Sequence, residues 1–95
     1  SLAGCTLRPT EVAPVNGIKT YAVTSNRVIN DNPGNPGNLY EALLELEADA
    51  VPAYMQSVCG DRGHRVIDRL GVIDEPWTGG GGGRFIKQTY IVQCR

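Results

Sequence analysis

The residue types that most often perform chemistry are few in this chain: three cysteines, one histidine and scattered carboxylates. A catalytic thiol needs an imidazole beside it, and His64, the single histidine, follows Cys59 by five residues. A redox pair usually has two cysteines separated by two residues, and no two cysteines here have that spacing. A zinc site needs more ligands than the chain offers near His64. We therefore interpret His64 as a loop residue after a helix, and we predict no metal site and no cofactor.

The carboxylates and the glycine-rich segment do not indicate an active site either. Asp68, Asp74 and Glu75 have no partner acid on a recognisable pocket wall, so paired-carboxylate hydrolysis is unsupported. The five consecutive glycines before Arg84 lack the Lys-Ser/Thr and the helix that complete a phosphate-binding loop. We interpret them as a hairpin tip, and we predict that the protein is not an enzyme.

The segment Leu2-Ala3-Gly4-Cys5 resembles the lipobox of bacterial lipoprotein precursors. In such precursors a signal peptidase cuts before the cysteine, whose thiol carries diacylglycerol. The resemblance implies that Cys5 is lipidated, that residues 1–4 are a signal-peptide remnant, and that the lipid on Cys5 attaches the protein to a membrane. Thr6 rather than Asp after the cysteine implies the periplasmic face of a Gram-negative outer membrane. The alternative is an ordinary cysteine in a flexible tail.

The residues that follow Cys5 are rich in turn-forming types. Segment 6–17 holds two prolines, two threonines and a glycine, without a sustained hydrophobic period. We expect residues 5–16 to be a lipidated tether, and residues 17–95 to form one small folded domain.

Four segments of that domain have the patterns of regular secondary structure. The period of two in Ile18–Arg27 predicts a strand, which Val28 and Ile29 extend. Asn38 and Glu41 form a capping-box-like start for an amphipathic helix that ends before Gly60. Pro52 predicts a kink in this helix, or two short helices near 38–50 and 52–59. The apolar stripe of the helix consists of Leu39, Leu43, Leu46, Ala50, Tyr54 and Val58.

The C-terminal part of the chain predicts an antiparallel hairpin of residues 65–75 and 84–95, with a bulge or bend at Gly71. In the last strand, Ile86, Tyr90, Val92 and Cys94 should face the core, and Lys87, Thr89 and Gln93 the solvent. We expect the first strand to pair with the last. The fold class is therefore α+β: a two-layer β-α-β-β domain with one kinked helix packed on a three-stranded, mainly antiparallel sheet.

Once Cys5 is assigned to the lipid, Cys59 and Cys94 remain. They stand at the end of the helix and at the end of the last strand, and these ends meet if the helix crosses the sheet. We predict a structural disulfide, which the oxidising periplasm would allow. It would close a loop of about 36 residues and contribute roughly 3.8 kcal/mol in the chain-entropy treatment.

A helix that ends in Cys59-Gly60, a hairpin, and a last strand that ends in Tyr90-x-x-x-Cys94 together resemble many small periplasmic lipoprotein domains of proteobacteria. That set includes envelope-stress sensors of the Rcs type and accessory subunits of secretion machines, and it has no common activity. The Rcs-type sensor domain carries two disulfides, whereas Cys59 and Cys94 can form one here. The resemblance therefore implies a class of protein and a location, but no specific task.

Composition and charge limit the remaining functions. A chain of 95 residues allows one small domain, and a net charge of −1 argues against nucleic-acid binding. We expect a non-enzymatic envelope lipoprotein, an accessory or assembly subunit of a periplasmic or outer-membrane complex such as a secretion machine. The alternative is a periplasmic binding or inhibitor module for an enzyme, the cell wall or a small ligand. Candidate residues for contact with an envelope protein partner are Trp77, Arg84 and Phe85, together with an open edge strand.

Overall fold

The computed structural model describes residues 7–29, 39–76 and 83–95. Within these ranges the chain forms one antiparallel sheet and one α-helix. The elements are β1 (Thr10–Val15), β2 (Ile18–Ile29), α1 (Leu39–Cys59), a 3-10 turn (Gly60–Arg62), β3 (His64–Pro76) and β4 (Arg84–Cys94).

The strands are arranged in the order β1-β2-β4-β3, and each is antiparallel to its neighbours. This confirms that the first predicted strand pairs with the last, so that the C-terminal strand lies inside the sheet. The helix α1 packs on one face of the sheet, chiefly against β2 and β4. We call this face the helix face. The opposite face, which we call the open face, is not covered by any described element.

The expectation of three strands was wrong, because β1 adds a fourth at the edge of the sheet. Its residues lie in the segment that we predicted to be a tether. Asn16 and Gly17 connect β1 to β2 with φ angles of 54° and 75°, and two positive φ angles are what a two-residue hairpin turn of type I′ requires. Pro14 is tolerated in β1 because an edge strand has a side without ladder hydrogen bonds.

The helix α1 runs without a break from Leu39 to Cys59, so it is a single helix rather than two short ones. Pro52 lies within it and is exposed. The predicted stripe is confirmed at Leu46 and Ala50, which are buried against the sheet. The core also includes residues that the stripe omitted or that lie on the strands: Tyr21, Val23, Val51, Met55, Cys59, Tyr90 and Val92.

The strand β3 contains two irregularities. Its register against β4 shifts by one residue between Val66 and Asp68, and again between Leu70 and Ile73. Gly71 lies in the second shift with a φ of 50°, which confirms the predicted bulge or bend at this glycine. Bulges increase the twist of an edge strand and interrupt its regular outline.

The central strand β4 alternates as predicted, with one exception. Ile86, Tyr90 and Val92 are fully buried on the helix face. Gln93, which we expected to face solvent, is only 2% exposed. Its side-chain amide donates to Thr20 Oγ1 at 3.1 Å and to the Val15 carbonyl at 3.3 Å. The prediction failed because Val15 of β1 and Thr20 of β2 bind this side chain, which the alternation of a single strand does not reveal.

Candidate binding surfaces

The predicted disulfide is present and joins the ends of two elements. Cys59 is the last residue of α1 and Cys94 the last residue of β4; their Cα atoms are 5.3 Å apart and their sulfur atoms are bonded. Cys59 is buried and belongs to the core, and Cys94 packs against that core. The bridge therefore fixes the C-terminal end of the helix to the centre of the sheet. Cys5 lies outside the described residues.

His64 begins β3 and stands opposite Cys94 in the ladder. Its carbonyl accepts a hydrogen bond of 2.9 Å from Arg95 Nε, and its side chain is half-buried. The described part of the chain has no cluster of three or more His, Cys, Asp or Glu side chains that could hold a metal ion. Nor does it contain a helix long and apolar enough to span a membrane.

Of the three residues predicted to contact a partner, the two that the structure describes lie on different faces of the sheet. Trp77 lies outside the described residues. Arg84 lies on the helix face, where its guanidinium donates to both carboxylate oxygens of Asp74 at 2.9 and 2.5 Å. Phe85, its neighbour in the chain, lies on the open face between Val28 and Glu75. Arg84 therefore stabilises the hairpin, and Phe85 belongs to a different surface.

That surface is an apolar region of the open face. The open face as a whole contains the even-numbered residues of β2, the odd-numbered residues of β4 and the β3 residues that stand opposite them. Three of its side chains are exposed by more than two fifths: Val28 at 43%, Leu70 at 45% and Ile73 at 42%. We define the apolar band as Ala22, Val28, Leu70, Ile73, Phe85 and Ile91.

Polar groups interrupt the apolar band at a defined point. Thr24 and Thr89 stand opposite each other and share a hydrogen bond of 2.8 Å between their hydroxyl groups. Asn26 and Lys87 form the next pair along the sheet. The open face is thus amphipathic, with apolar groups along β3 and at the β2–β4 end nearest Phe85.

A second concave surface lies on the helix face, between the first half of α1 and β3. It is a groove of about 350 Å³ lined by Tyr40, Leu43, Leu44, Glu47, Arg69 and Gln88. Arg69 closes one part of it by donating two hydrogen bonds, of 2.5 and 2.8 Å, to the carboxylate of Glu47. These hydrogen bonds raise the pKa of Arg69 above its ordinary value. The groove is apolar along the helix, and its charges are already paired with each other.

Next to this ion pair lies a buried phenol. Tyr90 stands opposite Arg69 in the ladder, is fully buried, and has no hydrogen-bond partner within the described protein for its hydroxyl. Burial is the main cause that raises the pKa of Tyr90 above 10.0; Glu47 raises it too, whereas Arg69 and Arg27 lower it. At neutral pH the phenol is therefore a neutral donor without an acceptor.

The sequence prediction missed the apolar band, although part of its signal was visible. Phe85 and Ile91 occupy positions of β4 that alternation assigns to solvent, and apolar residues there indicate a second contact surface. The contribution of Leu70 and Ile73 was hidden, because the bulge at Gly71 places both on the same face despite their odd spacing. Comparisons of the chain with protein-family models, with curated proteins and with solved structures found no match.

Proposed function

We propose that the protein is a non-enzymatic envelope lipoprotein that acts by binding another envelope protein, as an accessory or assembly subunit of a periplasmic or outer-membrane complex. The observation that carries this proposal is the apolar band on the open face. Val28, Leu70 and Ile73 of this band are each more than two fifths exposed, and exposed apolar surface of this kind marks interaction sites. The partner would present a matching apolar element with a polar group facing Thr24 and Thr89.

The location rests on the cysteines. Cys59 and Cys94 form a bridge that an oxidising compartment maintains, and Leu2-Ala3-Gly4-Cys5 has the sequence of a lipobox. Lipidation of Cys5 would hold the domain at the periplasmic face of the outer membrane, where a protein partner is reached by diffusion in two dimensions. Mass spectrometry of the native protein tests this part: an acylated Cys5 supports the anchor, and a free thiol there contradicts it.

The partner surface is tested with two variants of the same strand. Val28→Lys places a charge in the apolar band, whereas Asn26→Lys adds the same charge two residues away, at an exposed polar position of the same face. We expect the full chain to recover a stoichiometric partner from solubilised envelopes, Val28→Lys to lose it, and Asn26→Lys to keep it. Equal recovery by both variants would remove the open face from the interaction.

The groove on the helix face favours the second function, a binding module for a small ligand. It is concave and lined by Tyr40, Leu43 and Leu44, which is the apolar wall that small-molecule sites usually have. A Leu43→Lys variant would fill this groove without altering the open face. Partner recovery that is lost in Leu43→Lys and kept in Val28→Lys would place the binding site in the groove rather than on the open face.

A further inference from the structure

The strand β3 is the longer of the two edges of the sheet. It has 13 residues, and in the described part of the chain it pairs with β4 alone. The other edge, β1, has six residues and contains Pro14. Four large apolar side chains of β3 are exposed by 37–47%: Ile67, Leu70, Val72 and Ile73. An exposed edge of this length and composition can accept a further strand.

The two bulges restrict which strand can be added. A regular strand would lose its register at each bulge, because each inserts one extra residue into β3. A second copy of β3 carries the same bulges, one near Ile67 and one between Leu70 and Ile73. In an antiparallel arrangement centred on Leu70, Ile67 of each copy stands opposite Ile73 of the other. Each bulge of one copy then lies within about two residues of a bulge of the other.

We propose that two copies of this chain associate through β3, antiparallel, about a twofold axis at Leu70. In this register Arg65 stands opposite Glu75 of the second copy, and the same pair recurs on the other side of the axis. Both residues lie on the open face, since Arg65 is opposite Gln93 and Glu75 opposite Phe85. This one arrangement therefore has twofold symmetry, pairs opposite charges, and brings Leu70 of one copy against Leu70 of the other.

A second pair of residues in this register also lies on one face of the sheet. Val66 stands opposite Asp74, and both lie on the helix face, opposite Val92 and Ile86 of β4 respectively. Like Arg65 and Glu75, these two residues thus meet from the same face, as adjacent strands in a sheet require. The helix does not obstruct the pairing, because α1 packs chiefly on β2 and β4, away from this edge.

Two nearby registers bring like charges together. Centring the pair on Arg69 places two guanidinium groups opposite each other. Bringing Leu70 opposite Ile73 places Asp68 opposite Glu75, twice in the dimer. Like charges directly opposite destabilise a strand pair. The result of the favoured register is a continuous eight-stranded sheet with both helices on one face and an uninterrupted open face on the other.

This self-association goes beyond the proposed partner binding and is tested without any partner. Sedimentation equilibrium of the full chain should show a monomer–dimer equilibrium. Arg65→Glu and Glu75→Arg should each weaken the dimer about tenfold, because each replaces two attractive pairs by two repulsive ones. Lys19→Glu, an exposed charge reversal on β2, should leave the dimer constant unchanged.

The decisive measurement mixes the two variants. A copy with Arg65→Glu presents only acids at positions 65 and 75, and a copy with Glu75→Arg presents only bases, so an equimolar mixture should form a heterodimer of native affinity. Thermal unfolding of each variant verifies that it folds, and Glu75→Arg leaves the hydrogen bond from Arg65 to Gln93 intact. A chain that stays monomeric at millimolar concentration, or a mixture no tighter than its components, overturns the proposal.

Discussion

At the residue scale, the most unusual group in the protein is the hydroxyl of Tyr90. It is buried beside the ion pair of Arg69 and Glu47, yet it has no hydrogen-bond partner in the described protein. Leaving a buried donor unsatisfied costs about 1–3 kcal/mol of stability. The aromatic ring itself is part of the core, so the ring stabilises the fold and the hydroxyl opposes it.

Replacing Tyr90 by Phe separates these two contributions. The ring is retained and the unsatisfied donor is removed, so we expect the free energy of unfolding at pH 7 to rise by about 1 kcal/mol. Urea unfolding at constant pH measures this change. Tyr40→Phe, at an exposed position of the groove, is the matched control and should leave the stability unchanged. A loss of stability in Tyr90→Phe would show that the hydroxyl has a stabilising partner.

The same residue predicts how stability depends on alkaline pH. The pKa of Tyr90 is raised in the folded protein, mainly by burial, so above pH 10 the unfolded chain releases a proton that the folded protein retains. Fewer protons bound in the unfolded state mean that stability falls as pH rises. We therefore expect the stability that results from this raised pKa to be fully present below pH 10. It should be lost as the pH rises through the pKa of Tyr90 in the folded protein. Urea unfolding at pH 9 and pH 11 should show a smaller decrease for Tyr90→Phe than for the native chain.

At the scale of elements, the disulfide connects the end of α1 to the end of β4. Both cysteines lie at the core, and the bridge limits the unfolded chain to conformations in which the helix and the last strand stay joined. The variant Cys59→Ala/Cys94→Ala should lose up to about 3.8 kcal/mol, the entropy of a loop of about 36 residues. Thermal unfolding with and without reductant measures it. An unchanged melting temperature would contradict a stabilising role.

A glycine fixes the start of β4. Gly83 has a φ of 124°, and a Cβ atom built on it would lie 2.6 Å from the carbonyl oxygen of Ile29. Gly71 also has a positive φ, of 50°, but has open space around it. We expect Gly83→Ala to destabilise the protein by more than 3 kcal/mol, since strain and clash add. Gly71→Ala should cost about 1 kcal/mol, the strain of the left-handed region alone.

Equal effects of these two substitutions in urea unfolding would contradict the close approach of Gly83 to β2. The comparison is informative because both substitutions add one methyl group at a positive φ. A methyl group on Gly83 would meet the Ile29 backbone at 2.6 Å and the Val28 side chain at 3.6 Å, whereas one on Gly71 would meet nothing within 4 Å.

Elements with strong local patterns could be predicted from the sequence, and those that depend on neighbouring strands could not. The alternation of Ile86, Tyr90 and Val92 fixes both the strand and its buried face, and Gly71 indicates a bulge through its conformational freedom. The strand β1 has six residues, one of them Pro14, which is too short and irregular a pattern to predict a strand. The Asn16-Gly17 pair was its clearest signal, since this dipeptide favours a hairpin turn.

The candidate sites follow the same division. The pairing of Cys59 with Cys94 was predictable, because each cysteine lies at the end of an element and the two ends meet in a helix-on-sheet arrangement. The apolar band was not, because it combines residues from three strands whose register the bulges change. Partner contact by Phe85 stays a prediction, and Arg84 binds Asp74 within the hairpin.

At the scale of the whole molecule, α1 covers one face of the sheet, and β1 and β3 form its two edges. Acidic residues of α1 pair with arginines of two strands: Arg27 donates to Asp49 at 2.6 Å, and Arg69 binds Glu47. Exposed pairs of this kind contribute little to stability, but their positions orient the helix across the sheet. The helix face therefore binds α1 in one orientation, and the open face is the face that can bind another protein.

The strand β1 determines where the cooperative unit begins. The buried side chain of Gln93 is bound to β1: its amide donates to the Val15 carbonyl, and the Val15 amide donates to Thr20 Oγ1. Removing β1 would expose Thr20 and Gln93 and leave β2 as an unprotected edge. A chain that starts at Ile18 should therefore be less stable to denaturant than one that starts at Leu7, by about 2 kcal/mol for the two hydrogen bonds between Val15 and the side chains of Thr20 and Gln93.

Urea unfolding of these two truncated chains, each with the disulfide intact, measures the contribution of β1. Gln93→Leu in the longer chain is the matched variant, because it removes the hydrogen bonds of the Gln93 side chain and keeps β1. If β1 acts through Gln93, this substitution should account for a large part of the loss, and the two changes should not be additive. Equal stability of the chains that start at Leu7 and at Ile18 would instead place β1 outside the cooperative fold and return residues 10–15 to the role of a tether.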